Sequence, residues 1–159
     1  MDLAQAAREV LEPLGFEVLE LERTGQGEKR RLLLRIDRLD EQLVSMEDVT
    51  LATQVFSLEL DRLDPFAEPY ELEVESPGSE RPLITARHFE RFHDLKTKVR
   101  LGSETFKGTI RGVEGDAVKG YIVVLEVGKE TKRYKLAEIQ ARLAEWPSEP
   151  REKVLEEHL

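Results

Sequence analysis

Alternating polar and apolar positions predict strands in the first half of the chain. Within residues 70–75, three apolar side chains alternate with three glutamates, so one face is apolar and the other is acidic. Residues 16–24 and 30–37 also have the composition of strands, and together they predict a hairpin. The adjacent Val18 and Leu19 break the alternation and indicate a bulge or burial on both faces.

Helical spacing of apolar residues predicts a helix on either side of that hairpin. The first helix spans residues 3–14, and Gly15 is placed to end it. The second begins after Ser45 as N-cap, with Asp48 in an acidic variant of the capping box, and ends at Asp64 before a proline. The order α-β-β-α-β predicts two helices on one face of a three-stranded sheet. This layer is reminiscent of KH-like modules, although no Gly-x-x-Gly loop joins two helices.

Short strands at close spacing predict a small barrel in the second half. Thr85 can cap a short lead-in helix through Phe92, and a single helical turn over residues 136–139 precedes the last strand. The expected strands cover residues 96–101, 104–113, 118–127, 130–135 and 140–145. Such a series, with glycines that permit bending, is typical of an SH3-like or Sm-like barrel.

The sequence therefore predicts an α+β protein built from two domains. An N-terminal α-β-β-α-β sandwich, the KH-like layer, is expected over residues 1–83. A C-terminal SH3-like or Sm-like β-barrel is expected over residues 84–146, followed by an acidic tail at residues 147–159. A chain of 159 residues is long enough for two small domains.

A stiff junction is predicted between the two domains. Pro77 fixes its own φ, and Gly78 can adopt the positive φ of a type II turn. Pro82 directs Arg81 towards an extended backbone. We expect Arg81 either to hydrogen-bond across the joint or to be available to a ligand, and the structural role is favoured. The predicted interdomain turn comprises Ser76, Pro77, Gly78, Arg81 and Pro82.

The segment at residues 70–83 joins the acidic strand to this junction and reads YELEVESPGSERPL. It resembles the signature of the bacterial ribosome maturation factor RimP family, in which a strand ending in glutamates leads into Ser-Pro-Gly and then Arg-Pro-Leu. The order of elements over residues 1–145 is also similar to that family. The resemblance implies a ribosome assembly factor that binds the immature small ribosomal subunit in the cytoplasm and promotes its late maturation. It also implies two partners, 16S ribosomal RNA and ribosomal protein twelve of the small subunit.

Charge is distributed unevenly along the chain, whose formal net charge is −9. Residues 1–83 contain 20 acidic and 9 basic residues, whereas residues 84–145 contain 9 acidic and 13 basic residues. This asymmetry favours a basic module for nucleic acid and an acidic module for a basic protein. Composition alone is equally compatible with two solvated faces.

Basic side chains predict an RNA surface on the second half. Lys96, Lys98 and Arg100 alternate along one strand and therefore project from one face. Exposed aromatic stacking platforms are not evident, so contact with the backbone of structured RNA is favoured over the reading of bases. The candidate RNA or ribosome contacts are Lys96, Lys98, Arg100, Lys107, Arg111, Lys129 and Lys132.

Two segments are candidates for protein contact. The glutamates of residues 70–75 can complement a basic partner. A short last strand leaves backbone groups to which a partner can add a strand, and the acidic tail after it can join that contact. A frayed and solvated tail, with the tryptophan capping the barrel, is the alternative. The candidate protein contacts are Glu71, Glu73, Glu75, Arg142, Leu143 and Trp146.

Candidate catalytic chemistry is scarce. The chain contains no cysteine, and His88 and His93 are five residues apart, a poorer spacing for a shared helical face than three or four. No P-loop, dinucleotide fingerprint or Gly-x-Ser-x-Gly elbow occurs. We therefore expect a monomer that is not an enzyme and uses no metal or cofactor. No apolar run approaches membrane-spanning length, and a cytoplasmic location is expected.

A rival function from another class is an Sm-like RNA regulator that oligomerises, binds single strands and is not dedicated to the ribosome. The acidic α/β half and the missing stacking platform disfavour this rival. A hydrolytic enzyme that uses the glutamates of residues 70–75 is a weaker alternative, because aligned carboxylates on a strand more often form a solvated face.

Overall fold

The computed structural model describes residues 2–78 and 80–144, which form two compact units. The boundary between the units lies between Pro77 and Gly78. The predicted boundary after residue 83 is too late, because residues 82–83 form a strand of the second unit and pair with its last strand. The predicted acidic tail lies outside the described residues.

The first unit has the predicted order of elements, α-β-β-α-β. Its first helix is shorter than predicted because a 3-10 turn over Glu12–Leu14 follows it. Pro13 within that turn lacks the amide hydrogen that a continuing α-helix requires. The elements are α1 (Leu3–Leu11), β1 (Phe16–Thr24), β2 (Arg31–Arg38), α2 (Met46–Leu63) and β3 (Glu71–Glu75).

The three strands of the first unit form one mixed sheet in the order β1-β2-β3. β1 and β2 are antiparallel, whereas β3 joins β2 in parallel after the crossover through α2. The bulge expected in β1 is confirmed, because the register shifts between Val18 and Glu20. Buried side chains of both helices form one core with Leu32, Leu34 and Ile36, so both helices cover the same face. The α+β class is confirmed, while the likeness to KH modules stays a prediction.

Both ends of α2 are closed by the residues that the sequence indicates. The Ser45 hydroxyl accepts a hydrogen bond from the Asp48 amide at 3.1 Å, and the Asp48 carboxylate accepts one from the Ser45 amide at 2.8 Å. These bonds satisfy amides that have no partner within the helix. At the other end, Asp64 adopts a φ of 46° and donates its amide to the Leu60 carbonyl. The hydrogen bond from the Ser45 backbone, with attraction from Arg38, lowers the pKa of Asp48.

We expect Asp48→Asn to lower the free energy of unfolding by about 1 kcal/mol at neutral pH. Asparagine keeps an acceptor oxygen for the Ser45 amide but loses the negative charge that faces this amide, Arg38 and the helix N-terminus. The folded-state pKa of Asp48 lies below the unfolded value, so its ionised form stabilises the fold above the unfolded pKa. That contribution disappears as the pH falls through the folded pKa. The difference between wild type and variant should therefore shrink as the pH falls below the unfolded pKa, about 3.9, and through the lower folded pKa. Urea unfolding at a series of pH values measures this difference.

Asp61→Asn is the matched control, because it removes one carboxylate from an exposed position of the same helix, away from the cap. An effect of Asp48→Asn that is no larger than the effect of this control would contradict the capping argument. So would a difference that stays undiminished in acid.

The second unit contains a short helix and several strands close to the predicted positions. Thr85 caps the helix as expected, since its hydroxyl accepts a hydrogen bond from the His88 amide at 3.2 Å. A 3-10 turn over Leu136–Glu138 precedes the last strand, also as expected. The elements are β4 (Pro82–Leu83), α3 (Ala86–Arg91), β5 (Lys96–Leu101), β6 (Glu104–Asp116), β7 (Gly120–Val127), β8 (Glu130–Lys135) and β9 (Gln140–Leu143).

The predicted SH3-like or Sm-like barrel is not confirmed. The strands of residues 80–144 form an open sheet in the order β4-β9-β5-β6-β7-β8, in which the two edges do not pair with each other. β4 offers only two residues, and one of them is a proline without an amide hydrogen. β8 carries Lys132, Arg133 and Lys135, charges typical of an edge strand that resists further pairing. The strands were predictable from local pattern, but their closure was not.

The core of the second unit lies between α3 and one face of this sheet. Phe89 and Phe92 pack there with the buried Ile110 and Leu125. Leu143 of β9 is fully buried in the same core. Its side chain therefore offers no surface to a protein partner. β9 also pairs with β4 on one side and β5 on the other, which leaves little free edge for the strand addition predicted there. Contact of Leu143 with a partner stays a prediction.

Residues 76–78 do not form the predicted type II turn. They contain no hydrogen-bonded turn, and the φ of Gly78 is not positive. A Cβ atom at Gly78 would meet no other atom within 4 Å. The backbone of Gly78 therefore does not require a glycine.

We expect Gly78→Ala to leave the free energy of unfolding nearly unchanged, whereas Gly115→Ala should lower it by about 1–3 kcal/mol. Gly115 has a φ of +92°, and a Cβ atom there would lie 2.2 Å from the carbonyl oxygen of Gly120. Thermal and urea unfolding of the two variants measure the contrast. A loss at Gly78 as large as the loss at Gly115 would show that the junction does require a glycine.

Candidate nucleic-acid interface

Three cationic side chains line up across neighbouring strands of the second unit. Lys98 of β5 lies directly opposite Arg142 of β9 on one side and Lys107 of β6 on the other. Directly opposed residues project from the same face of a sheet. Neighbouring strands are about 5 Å apart, so the backbone positions of the three cations span about 10 Å. We call Arg142, Lys98 and Lys107 the basic row.

The basic row lies in a groove of about 930 Å³ on the second unit. Residues of β4, β5, β6, β9 and the 3-10 turn line this groove. Arg100 adds a further cation, and Pro82, Ile84 and Phe106 contribute apolar surface. A concave surface lined by charges of one sign concentrates their potential. The groove is therefore suited to an anionic ligand.

One carboxylate already contacts the basic row. Glu80 accepts a hydrogen bond from the Lys98 ammonium group, and its backbone carbonyl accepts one from Arg142 at 3.2 Å. The hydrogen bond from Lys98, with attraction from Lys98, Arg142 and Lys107, lowers the pKa of Glu80. The Lys98 and Glu80 side chains remain 45% and 53% exposed, so the pair is open to solvent. Sequence reasoning missed Glu80 because only the pairing of β4 with β9 explains its position.

Lys96 and Arg100 extend the basic row along β5. They alternate with Thr97 and Val99, which are buried, and therefore share the face of Lys98. The structure thus brings together the three alternating cations that the sequence indicated.

Arg111 is less available than the basic row. It occupies a bulge in β6, where the register against β7 shifts. Its guanidinium donates to Asp94 at 2.7 Å and to Glu126 at 2.8 Å. These two hydrogen bonds raise the pKa of Arg111, with the larger effect from Glu126. Because two carboxylates already neutralise it, Arg111 is a poorer candidate for phosphate binding.

Lys129 and Lys132 lie on other parts of the second unit. Lys129 is exposed in the turn between β7 and β8. Lys132 is two residues from Tyr134 on β8 and therefore lies on the same face of the strand. Tyr134 packs against the core. Lys98 projects from the face opposite that core. Lys132 therefore does not extend the basic row, contrary to the prediction.

Arg81 is fully buried within the second unit. Its Nη1 donates to the Pro82 carbonyl at 2.7 Å, and its guanidinium carbon lies 5.2 Å from the centre of the Phe92 ring. Its own carbonyl accepts a hydrogen bond from the Leu143 amide at 2.9 Å. A guanidinium enclosed in this way supports a structural role rather than contact with a ligand.

The acidic face of the first unit, which is the side of its sheet opposite the core, contains several ion pairs. Glu71, Glu73 and Glu75 of β3 each lie 3.0–3.7 Å from an arginine of β2. The arginines are Arg31, which pairs with the first two, and Arg35, which pairs with the third. β1 adds further glutamates to the same face, opposite the core. The face therefore keeps an excess of negative charge, although its predicted carboxylates are partly neutralised.

The two histidines within the described residues serve local structure. The buried His88 uses Nδ1 to accept hydrogen bonds from the amides of Ile84 and Thr85, at 2.9 and 3.2 Å. His93 lies 2.9 Å from the carboxylate of Asp94. Among the described residues, no three histidine, aspartate or glutamate side chains are grouped to hold a metal ion. Across residues 2–78 and 80–144, no helix combines the length and the apolar character needed to cross a membrane.

The first unit matches a known family. Residues 6–80 correspond to the RimP N-terminal domain. The match covers most of α1, all of α2, all three strands and the Ser-Pro-Gly segment. The first unit belongs to the RimP family. The resemblance seen in residues 70–83 is thereby confirmed. The RimP assignment also supports the coarse functional prediction, a role in ribosome maturation.

One member of the basic row, Arg142, was not among the predicted RNA contacts. Arg142 was predicted to contact a protein, but its position opposite Lys98 groups it with the candidate RNA contacts. Alternation along β9 indicates that Arg142 points away from the buried Leu143, yet residue spacing does not reveal which strand lies next to β9. Trp146, the other predicted contact near this strand, lies outside the described residues.

Proposed function

We propose that this protein binds the immature small ribosomal subunit and promotes its late maturation by binding, not by catalysis. The observation that carries the proposal is the basic row in its groove, on a chain that also carries a RimP N-terminal domain. Ribosomal RNA exposed on an unfinished subunit offers phosphates to such a row. The proposal includes action as a monomer in the cytoplasm, without a cofactor.

The proposed mechanism is differential binding. Each phosphate that the basic row neutralises releases counterions from the RNA, so the affinity falls as salt rises. A protein shifts an RNA conformation only by as much as it binds one conformation better than another. The three cations of the basic row are held at neighbouring strand positions, so they bind better to RNA conformations whose phosphates converge on the groove.

We expect Lys98→Ala combined with Lys107→Ala to weaken binding to purified immature small subunits. The slope of log affinity against log salt should also fall by about 2, since each lost phosphate contact removes about 1 from it. Sedimentation with small subunits at several KCl concentrations measures both quantities. Large subunits and complete ribosomes belong in the same series, because equal binding to every RNA would favour the Sm-like regulator instead.

Lys119→Glu is the matched control, because it changes the net charge by the same two units as the double variant. Lys119 is exposed in the turn between β6 and β7, and its amide donates to the Asp116 carboxylate at 2.7 Å. Asp116 lies at the end of β6, on the order of 30 Å along the strand from Lys107. The control should therefore change affinity little. Equal weakening by the control and the double variant would contradict a localised RNA site.

We further propose that the acidic face of the first unit receives a basic segment of a ribosomal protein, with protein twelve of the small subunit as the partner that the family resemblance implies. The excess of glutamates on β1 and β3 supports this proposal through charge complementarity. The ion pairs with β2 do not oppose it, because exposed pairs of this kind exchange partners at small cost.

We expect Glu71→Gln combined with Glu73→Gln to reduce affinity for ribosomal protein twelve by about threefold to tenfold, mainly through slower association at low salt. Stopped-flow association at two salt concentrations measures this effect. Glu47→Gln combined with Asp61→Asn is the control, because both residues lie on α2, which covers the opposite face of the sheet. Should the control slow association equally, overall charge and not the acidic face would determine binding.

A further inference from the structure

The basic row already contacts an anion that belongs to the chain itself. The Glu80 carboxylate accepts a hydrogen bond from Lys98, and attraction from Arg142 and Lys107 reaches the same carboxylate. A carboxylate and a phosphate make the same kind of charge-assisted hydrogen bond with ammonium and guanidinium groups. Glu80 therefore presents to the row the chemical group that an RNA backbone presents.

We propose that Glu80 competes with RNA phosphate for the basic row. The row is then a phosphate site that carries its own carboxylate in the free protein and exchanges it for RNA on binding. This inference rests on the proposed RNA-binding role of the row and adds the residue that regulates its affinity.

The geometry permits the exchange without unfolding. The Glu80 side chain is 53% exposed, so a side-chain rotation is enough to free Lys98. The backbone carbonyl of Glu80 stays bound to Arg142 at 3.2 Å, which keeps the segment in place while the carboxylate moves. Release of the carboxylate therefore alters the charge of the site while the backbone contact is kept.

Competition of this kind selects among anionic ligands. A ligand that makes a single phosphate contact gains little binding free energy, because it has to displace a carboxylate that makes an equivalent contact. An RNA that also contacts Lys107 and the neighbouring cations Lys96 and Arg100 gains charge neutralisation that Glu80 alone does not provide. The carboxylate thus discriminates against isolated phosphates and in favour of RNA that fills the groove.

The test compares Glu80→Gln with Glu90→Gln in binding to a short duplex RNA hairpin at low salt. Glutamine keeps the shape of residue 80 but loses the charge, so Glu80→Gln should bind the hairpin about twofold to fivefold more tightly than wild type. Glu90 is exposed on α3, which packs against the core face of the sheet. Glu90→Gln changes the net charge equally and should leave affinity near the wild-type value.

A cycle with Lys98→Ala assigns the effect to the basic row. The gain from Glu80→Gln should shrink when Lys98 is absent, since the carboxylate then has lost its main partner. A gain that persists in full without Lys98, or a gain equal to that of Glu90→Gln, overturns the competition. Thermal unfolding of each variant establishes that all of them are folded.

The same series separates this inference from the proposed function. If Glu80→Gln has no effect while the Lys98 and Lys107 double variant still weakens binding to small subunits, the competition is wrong and the RNA surface stands. If the double variant has no effect either, the proposed RNA role of the row fails as well.

Discussion

The second unit depends on the placement of β9 between β4 and β5. Backbone pairing with both neighbours holds it there, and three further hydrogen bonds add to that pairing. The Thr97 hydroxyl donates to the Arg142 carbonyl at 2.8 Å, the Leu143 amide donates to the Arg81 carbonyl at 2.9 Å, and the Ala144 amide donates to the Lys96 carbonyl at 2.9 Å. Because side chains alternate along a strand, the same register turns Leu143 into the core and Arg142 towards Lys98. A slip of one residue would reverse both, so the burial of Leu143 fixes the site.

The acidic face of the first unit has a different physical basis. Its stability comes from the apolar core beneath it, where Phe56 and Leu60 of α2 pack on the strands. On the other side, Glu71, Glu73 and Glu75 are exposed in their ion pairs with Arg31 and Arg35, and such pairs contribute little to folding. The pair of Arg35 with Glu20 is more enclosed. The three glutamates of β3 are therefore available for recognition, since the fold does not depend on their present pairing.

The predictions that succeeded concern residues close together in the sequence. The capping box of Ser45 and Asp48 and the strand periodicity are local, and local spacing is what a sequence displays directly. The predictions that failed depend on contacts between residues far apart in the sequence. Gly78 has the freedom for a turn, but whether the chain reverses there depends on where the next strand pairs. The role of Arg142 and the open edges of the sheet depend on strand order, which short-range patterns do not specify.

The number of cations in the sequence also overestimates how many of them can bind RNA phosphate. Whether a cation is available depends on the carboxylates that already contact it. Arg111 and Lys98 are both exposed, yet Arg111 is held by two carboxylates from different segments, whereas Lys98 is held by one. A ligand that binds Arg111 must displace two carboxylates, which costs more free energy than displacing the single carboxylate at Lys98. A ligand that displaces Glu80 from Lys98 also reaches the neighbouring cations of the basic row. An exposed ion pair such as that of Lys98 and Glu80 is too weak to matter for folding. It is nevertheless strong enough to change an affinity severalfold, which is the range in which an RNA-binding surface is tuned.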